Sequence, residues 1–367
     1  MMIPTQIQNN IVRIETPAVY AYYIVHSSVL YPLALVCDND DILIGIISVT
    51  EIDPLRVDIT KSCGQICNRN FRYIADNNSE DTLYEKARSI FAEANITTLP
   101  VIDENGVPIR LFGKFQAFFL DMYKMLPYYQ YAHCLMESAR RAKAYGYDRI
   151  SAIEFGVAGG NGLIHLGIYA REIQRLVKIG IDVYGFDFGG EGGLQSPNGY
   201  RDCPEYWIAN DYKMDFERLM NRLYSEKLVI GDICKTTTTF LTDYNPAPIG
   251  FISVDVDQYT PTVAILNMLL QDDKFFIPII SMYFDDIGDD LEFQGESLAI
   301  KDFNTKNKNI KITPEKPGLN FNWIDLPVKE TYKVALMLSR IKWCKRFNHP
   351  RYSTTRTQNS NLFLRNC

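Results

Sequence analysis

The rhythm of apolar and polar positions changes partway along the chain. In the first third, the apolar run 33–36 is followed by a polar turn at 38–41 and a second apolar run, 42–49 (ILIGIISV), ending near Glu51. A unit of the same order, the run 99–102, the turn DENG and another short run, follows roughly 65 residues later, so the pattern predicts two strand–turn–strand units. Between them, residues 78–81 offer N-cap side chains to a helix whose Leu83, Ala87, Ile90, Phe91 and Ala94 share one face. From 115 to 147 the pattern is helical, with an interruption at Pro127.

After Arg149 the texture becomes apolar runs alternating with amphipathic helices: RISAIEFGV, LIHLGIYAREIQRLVK, IDVYGFDF, FERLMNRLYSE, KLVIGD, IGFISVDVD, TVAILNMLLQ, FIPIISMYFDD. Buried strands alternating with helices predict a parallel, doubly wound α/β sheet. The expected organisation is a duplicated α+β module at 1–115, a helical linker at 116–147, an α/β domain at 148–348 and a polar tail at 349–367.

Composition narrows the function classes. The 367 residues are 47% hydrophobic and 22% charged, as in a packed globular protein. A net charge of −6 gives no footprint for a nucleic-acid duplex. Val19 to Cys37 carries no formal charge, yet holds His26, Ser27, Ser28 and Pro32 and lacks a basic flank; it predicts a helix and a buried strand rather than a membrane span. Eight scattered cysteines and four histidines form neither a disulfide framework nor a zinc cluster, which fits a reducing cytoplasm.

The duplicated order, with LALVCDNDDILIGIISVTEI in one copy and TTLPVIDENGVP in the other, resembles a pair of CBS motifs over roughly residues 8 to 115. That resemblance implies an adenosyl-nucleotide site in which Glu51, closing Gly45-Ile46-Ile47-Ser48-Val49-Thr50-Glu51, holds ribose hydroxyls, and pairing of chains into a homo-oligomer; a packing module without ligand is the alternative.

The chemistry concentrates at the ends of the later strands. Glu154-Phe155-Gly156-Val157-Ala158-Gly159-Gly160-Asn161-Gly162 runs from a strand into a helix with the spacing G-x-x-x-G-x-G. Neither a dinucleotide fingerprint nor a P-loop is present. The next two strands end in Asp187, placed to accept hydrogen bonds from ribose hydroxyls, and in Asp232. Further on, Asp255-Val256-Asp257-Gln258-Tyr259 puts two carboxylates on one side of an extended segment, and Asp285-Asp286 ends the adjacent strand. Carboxylates so crowded repel unless a cation holds them, and an all-oxygen set suits Mg²⁺ or Mn²⁺.

These strand ends resemble the class I S-adenosylmethionine-dependent methyltransferases, with a Rossmann-like doubly wound sheet. The order EFGVAGGNG, GFDF, VIGD, DVDQYTPT, FDD and GESLAIKDFN is similar to the macrocin O-methyltransferase family over roughly 146 to 327. The resemblance implies S-adenosylmethionine held by Glu154, Gly156, Gly160, Gly162, Asp187 and Asp232. It also implies a metal on Asp255, Asp285 and Asp286, Asp257 as general base, and a sugar hydroxyl as acceptor. The glycine-rich 189–193 departs from the family where the acceptor pocket is shaped. Two alternatives are an adenosyl-sensing protein without turnover and a metal-dependent hydrolase of a phosphorylated sugar. Asp289 and Asp290 read as a solvated loop, His165 as a packed or surface residue, and the basic stretch from Lys329 to Arg351 as a solvated face.

Overall fold

The computed structural model describes residues 3–28, 30–52, 58–76, 79–189, 193–287, 293–314 and 341–346. They fall into two compact units, 1–127 and 128–367.

The first unit is an internal duplication. One copy runs β1 (Ile11–Arg13), α1 (Ala18–Ser27), β2 (Ala34–Cys37) and β3 (Leu43–Ile47). The other runs β4 (Ile74–Ala75), α2 (Glu80–Glu93), β5 (Thr98–Ile102) and β6 (Pro108–Gly113). In each three-stranded sheet the first pair is parallel and the second antiparallel. The turns are built alike: one Asp38 oxygen accepts from the N–H groups of Asp40 and Ile42 at 3.0 and 2.9 Å, and one Asp103 oxygen from those of Asn105 and Val107 at 2.9 and 2.8 Å. The uncharged stretch from Val19 to Cys37 resolves into α1 and the wholly buried β2. Among the described residues no helix is long and apolar enough to cross a membrane.

The second unit comprises α3 (Tyr129–Ala144), β7 (Arg149–Phe155), α4 (Asn161–Val177), β8 (Gly180–Asp187) and β9 (Lys227–Ile230). It continues with α5 (Ile233–Asp243), β10 (Ile249–Val254), α6 (Tyr259–Met268), β11 (Phe276–Phe284), α7 (Gly295–Lys306), β12 (Ile310–Pro314) and β13 (Ile341–Arg346). The sheet order is β12-β13-β11-β10-β7-β8-β9, and the five strands from β11 to β9 are parallel. β13 pairs antiparallel with both β11 and β12. The expected doubly wound α/β sheet is present, with an antiparallel edge that the run pattern does not announce.

Chain order reverses between β7 and β10. At such a switch point the loops leaving neighbouring strands diverge and open a crevice at their carboxyl ends. The strands beside it are buried on both faces, which explains their unbroken apolar runs.

The stretch 116–147 is not a linker throughout. Residues up to Pro127 belong to the first unit, whereas α3 is part of the second. It is keyed to the sheet by Ser138, which donates to the Gly250 carbonyl at 2.7 Å, and Arg141, which donates to Ser281 Oγ at 3.1 Å. The polar tail 349–367 lies outside the described residues.

Candidate active site

Backbone bonds bring the strand ends level. Gly156 donates to the Phe186 carbonyl at 2.9 Å, Asp255 to Phe155 at 2.9 Å, and Asp285 to Val254 at 3.0 Å. The residues that follow β7, β10 and β11 therefore emerge side by side. A cavity of about 300 Å³ opens there, within the size range of small-molecule sites. Gly156, Asp187, Asp255, Asp257, Asp285 and Asp286 line it together with Phe188, Leu194, Trp207, Tyr212 and Ile233.

The loop after β7 needs its first glycine. Gly156 has φ +87°, and a Cβ there would lie 1.7 Å from the Asp255 carbonyl oxygen. The bare backbone of this loop thus abuts the carboxylate-bearing loop of β10. Asp187 shapes it from the other side: Oδ2 accepts from Val157 and Ala158 N–H at 3.0 and 2.8 Å, and Oδ1 from Gly189 at 2.9 Å. Since a carboxylate oxygen has two lone pairs, Oδ1 keeps capacity for one further donor at the cavity wall.

Glu154 and Asp232 stand apart from the cavity lining. Glu154, only 2% exposed, accepts from Tyr131 Oη at 2.8 Å, and Tyr131 accepts from Ser253 Oγ at 2.8 Å. Its carboxylate lies under the start of α4, where a Cβ at Gly162 would be 2.0 Å from Oε1. Gly160, at φ +81°, lets the helix begin against Leu219. Asp232 caps α5, accepting from Cys234 N–H at 2.9 Å, and its neighbour Ile233 reaches the cavity instead.

Asp255, Asp285 and Asp286 converge, with one oxygen of each within 4.8 Å of the others. This all-oxygen donor set fits a hard divalent cation. Tyr283 Oη orients Asp285 through a 2.5 Å hydrogen bond to Oδ1. Burial, a hydrogen bond shared with Asp286 and the charges of Asp286, Asp255 and Asp285 push Asp257 up to about 9. That is the electrostatic signature of carboxylates confined together.

No protein-family model matches the chain, and no curated protein matches it in sequence. Among solved structures the chain is similar to a calicheamicin methyltransferase. The likeness has 16% identity and covers 76% of this chain and 96% of that one, with a TM-score of 0.39. It is similar as well to the CBS domains of a transcriptional regulator from Streptococcus pneumoniae (9% identity, 32% of this chain, 91% of that one, TM-score 0.27). A third likeness is to CBSX2 in complex with AMP (20% identity, 34% of this chain, 95% of that one, TM-score 0.26).

Several site features escape the motif reading. The segment carrying Trp207 and Tyr212 is fastened beside the cavity by Asp202, 1% exposed. Asp202 accepts from Thr260 N–H, Thr260 Oγ1 and Asn198 N–H at 2.7, 2.8 and 2.7 Å. No motif marks Asp202; its burial shows only in three dimensions. His165 is half-buried, between the rings of Tyr128 and Tyr169. Residues 190–192, Asp289 and Asp290, and Lys329 and Arg351 lie outside the described residues. In the first unit, Glu51 Oε2 accepts from Ser48 N–H at 2.8 Å and Ser48 Oγ at 2.5 Å, closing the turn after β3.

Glu154 provides a pH test. Burial, opposed by the Tyr131 hydrogen bond and reinforced by Asp255 and Asp187, holds its carboxyl well above the usual range. A raised carboxyl removes stability as pH climbs from the unfolded value toward the folded one. Glu154→Gln cannot ionise, so its melting temperature relative to wild type is expected to rise as pH climbs from the ordinary carboxylate range toward alkaline values. A difference that stays flat across that interval would place Glu154 in its ordinary range.

Proposed function

We propose that the second unit is a metal-dependent O-methyltransferase that moves a methyl group from S-adenosylmethionine to a sugar hydroxyl, in glycan or nucleotide-sugar biosynthesis. One observation carries this reading: at the switch point, a glycine loop with Gly156 at positive φ shares a cavity with Asp255, Asp257, Asp285 and Asp286. The loop offers close backbone approach to a donor, and the carboxylates serve an acceptor.

Methyl transfer is an in-line displacement, so alignment of donor and acceptor is the main task. The loop from Gly156 to Ala158 seats the donor, and the remaining acceptor capacity of Asp187 suits a ribose hydroxyl. Asp255, Asp285 and Asp286 would hold Mg²⁺ or Mn²⁺, which when bound would supply the Lewis acidity that lowers the pKa of a sugar hydroxyl and would offset the mutual repulsion of the carboxylates. Asp257 receives the hydroxyl proton as the new carbon–oxygen bond forms and the carbon–sulfur bond breaks, releasing S-adenosylhomocysteine. In the same reading the first unit takes an adenosyl nucleotide near Glu51 and pairs chains, and the protein works in the cytoplasm.

Transfer of label from methyl-labelled S-adenosylmethionine to a panel of glycosides and nucleotide sugars tests the assignment. Chelation with EDTA is expected to abolish transfer, and added Mg²⁺ or Mn²⁺ to restore it. Undiminished transfer after chelation would remove the metal from the account; phosphate release without the methyl donor would favour a hydrolase.

A further inference from the structure

We propose that Glu296 is a positioning residue that sets the spacing of the two loops bearing the cation carboxylates, an inference that rests on the metal reading above. Glu296 is the second residue of α7 and is fully buried, at 0% exposure. Its two oxygens serve different loops: Oε1 accepts from Val256 N–H at 3.4 Å, and Oε2 from Asp286 N–H at 3.2 Å. Val256 lies between Asp255 and Asp257, and Asp286 is itself one of the converging acids.

The location gives the contact its consequence. β10 and β11 stay in register to the pair Val254 and Phe284, and Asp285 N–H adds a bond to the Val254 carbonyl. Past that bond, Glu296 links the loops that follow β10 and β11 with one side chain, where the cation acids sit. Gly295 makes the approach possible: it has φ +52°, and a Cβ there would stand 3.0 Å from the Asp257 carbonyl oxygen. A carboxylate accepts at both ends, whereas a glutamine amide accepts at one and presents a donor at the other. Glu296→Gln therefore breaks one tie with little change of shape. Glu296→Asp keeps the carboxyl group but is one methylene too short to span both loops.

The test uses the full chain and Mn²⁺ alone, with the free-ion electron paramagnetic resonance signal as readout. Wild type is expected to take up one Mn²⁺ per chain. Groups that support metal ligands from behind change affinity by about 10- to 100-fold when altered, and that weakening is expected for both Glu296→Gln and Glu296→Asp. Glu226→Gln controls for a merely structural loss. Glu226 has a 3% exposed side chain, accepts from Tyr224 and Ser225 N–H at 2.6 and 3.1 Å, pairs with Arg171 at 2.8 Å, and stands outside the cavity lining. Its variant is expected to melt earlier while binding Mn²⁺ as wild type does. Wild-type affinity in both Glu296 variants would overturn the positioning role and leave the metal reading standing. Wild-type affinity in Glu296→Asp alone would also overturn it, because the carboxyl group rather than its reach would then set the affinity. No Mn²⁺ uptake by wild type would overturn both.

Discussion

Asp257→Asn is expected to slow methyl transfer by about 10²- to 10⁴-fold, the usual worth of a positioned general base, while the variant protein becomes more stable at alkaline pH. The two effects share one cause. Asp257 is crowded by Asp286, Asp255 and Asp285 and is pushed up to about 9, so without a cation its ionisation works against the fold. A carboxyl raised in this way contributes stability below its unfolded value, and that contribution is lost as pH rises through the folded value. Asparagine cannot ionise, so the variant escapes the loss, yet it cannot take a proton from the acceptor. Label transfer together with thermal melting at about pH 8 checks the pair of outcomes. Transfer within threefold of wild type would assign the base elsewhere.

Gly156→Ala is expected to have the largest structural effect in the cavity. A backbone at φ +87° strains a residue with a side chain by about 1 to 3 kcal/mol, and the added methyl would lie 1.7 Å from the Asp255 carbonyl oxygen. The loops of β7 and β10 must then part, so affinity for S-adenosylhomocysteine is expected to fall by more than about 100-fold, which corresponds to about 2.7 kcal/mol. Gly159→Ala is the matched control. A Cβ there meets nothing within 4 Å, and its backbone is not in the left-handed region, so binding and melting temperature are expected to stay near wild type. Equal calorimetric affinities for the two variants would show that close approach at Gly156 is immaterial.

The apolar runs announced the five parallel strands because strands buried on both faces need uninterrupted apolar residues. The duplicated polar turns announced the repeat in the first unit because Asp38 and Asp103 each close a turn with their own side chain. Less legible was how the site residues are held. Asp255 and Asp257 were expected to share a side through strand alternation, but β10 ends at Val254 and Asp257 has φ +61°; a left-handed turn brings both to the same cavity. Asp187, besides the ribose role its strand end suggests, uses most of its accepting capacity to organise the glycine loop. The carboxylate of Asp232, at the end of its strand, also caps α5, a role its strand-end position alone does not reveal. Glu296 and Asp202 depend on contacts with segments distant in the chain, which no local pattern encodes.

Calorimetric titration of S-adenosylhomocysteine into the full chain, with and without Mg²⁺ and beside Gly156→Ala, tests the central claim most directly. The account predicts one equivalent bound in the second unit, lost in the variant. Absence of binding to wild type, or binding that survives Gly156→Ala undiminished, would contradict a methyl-donor site at the switch point.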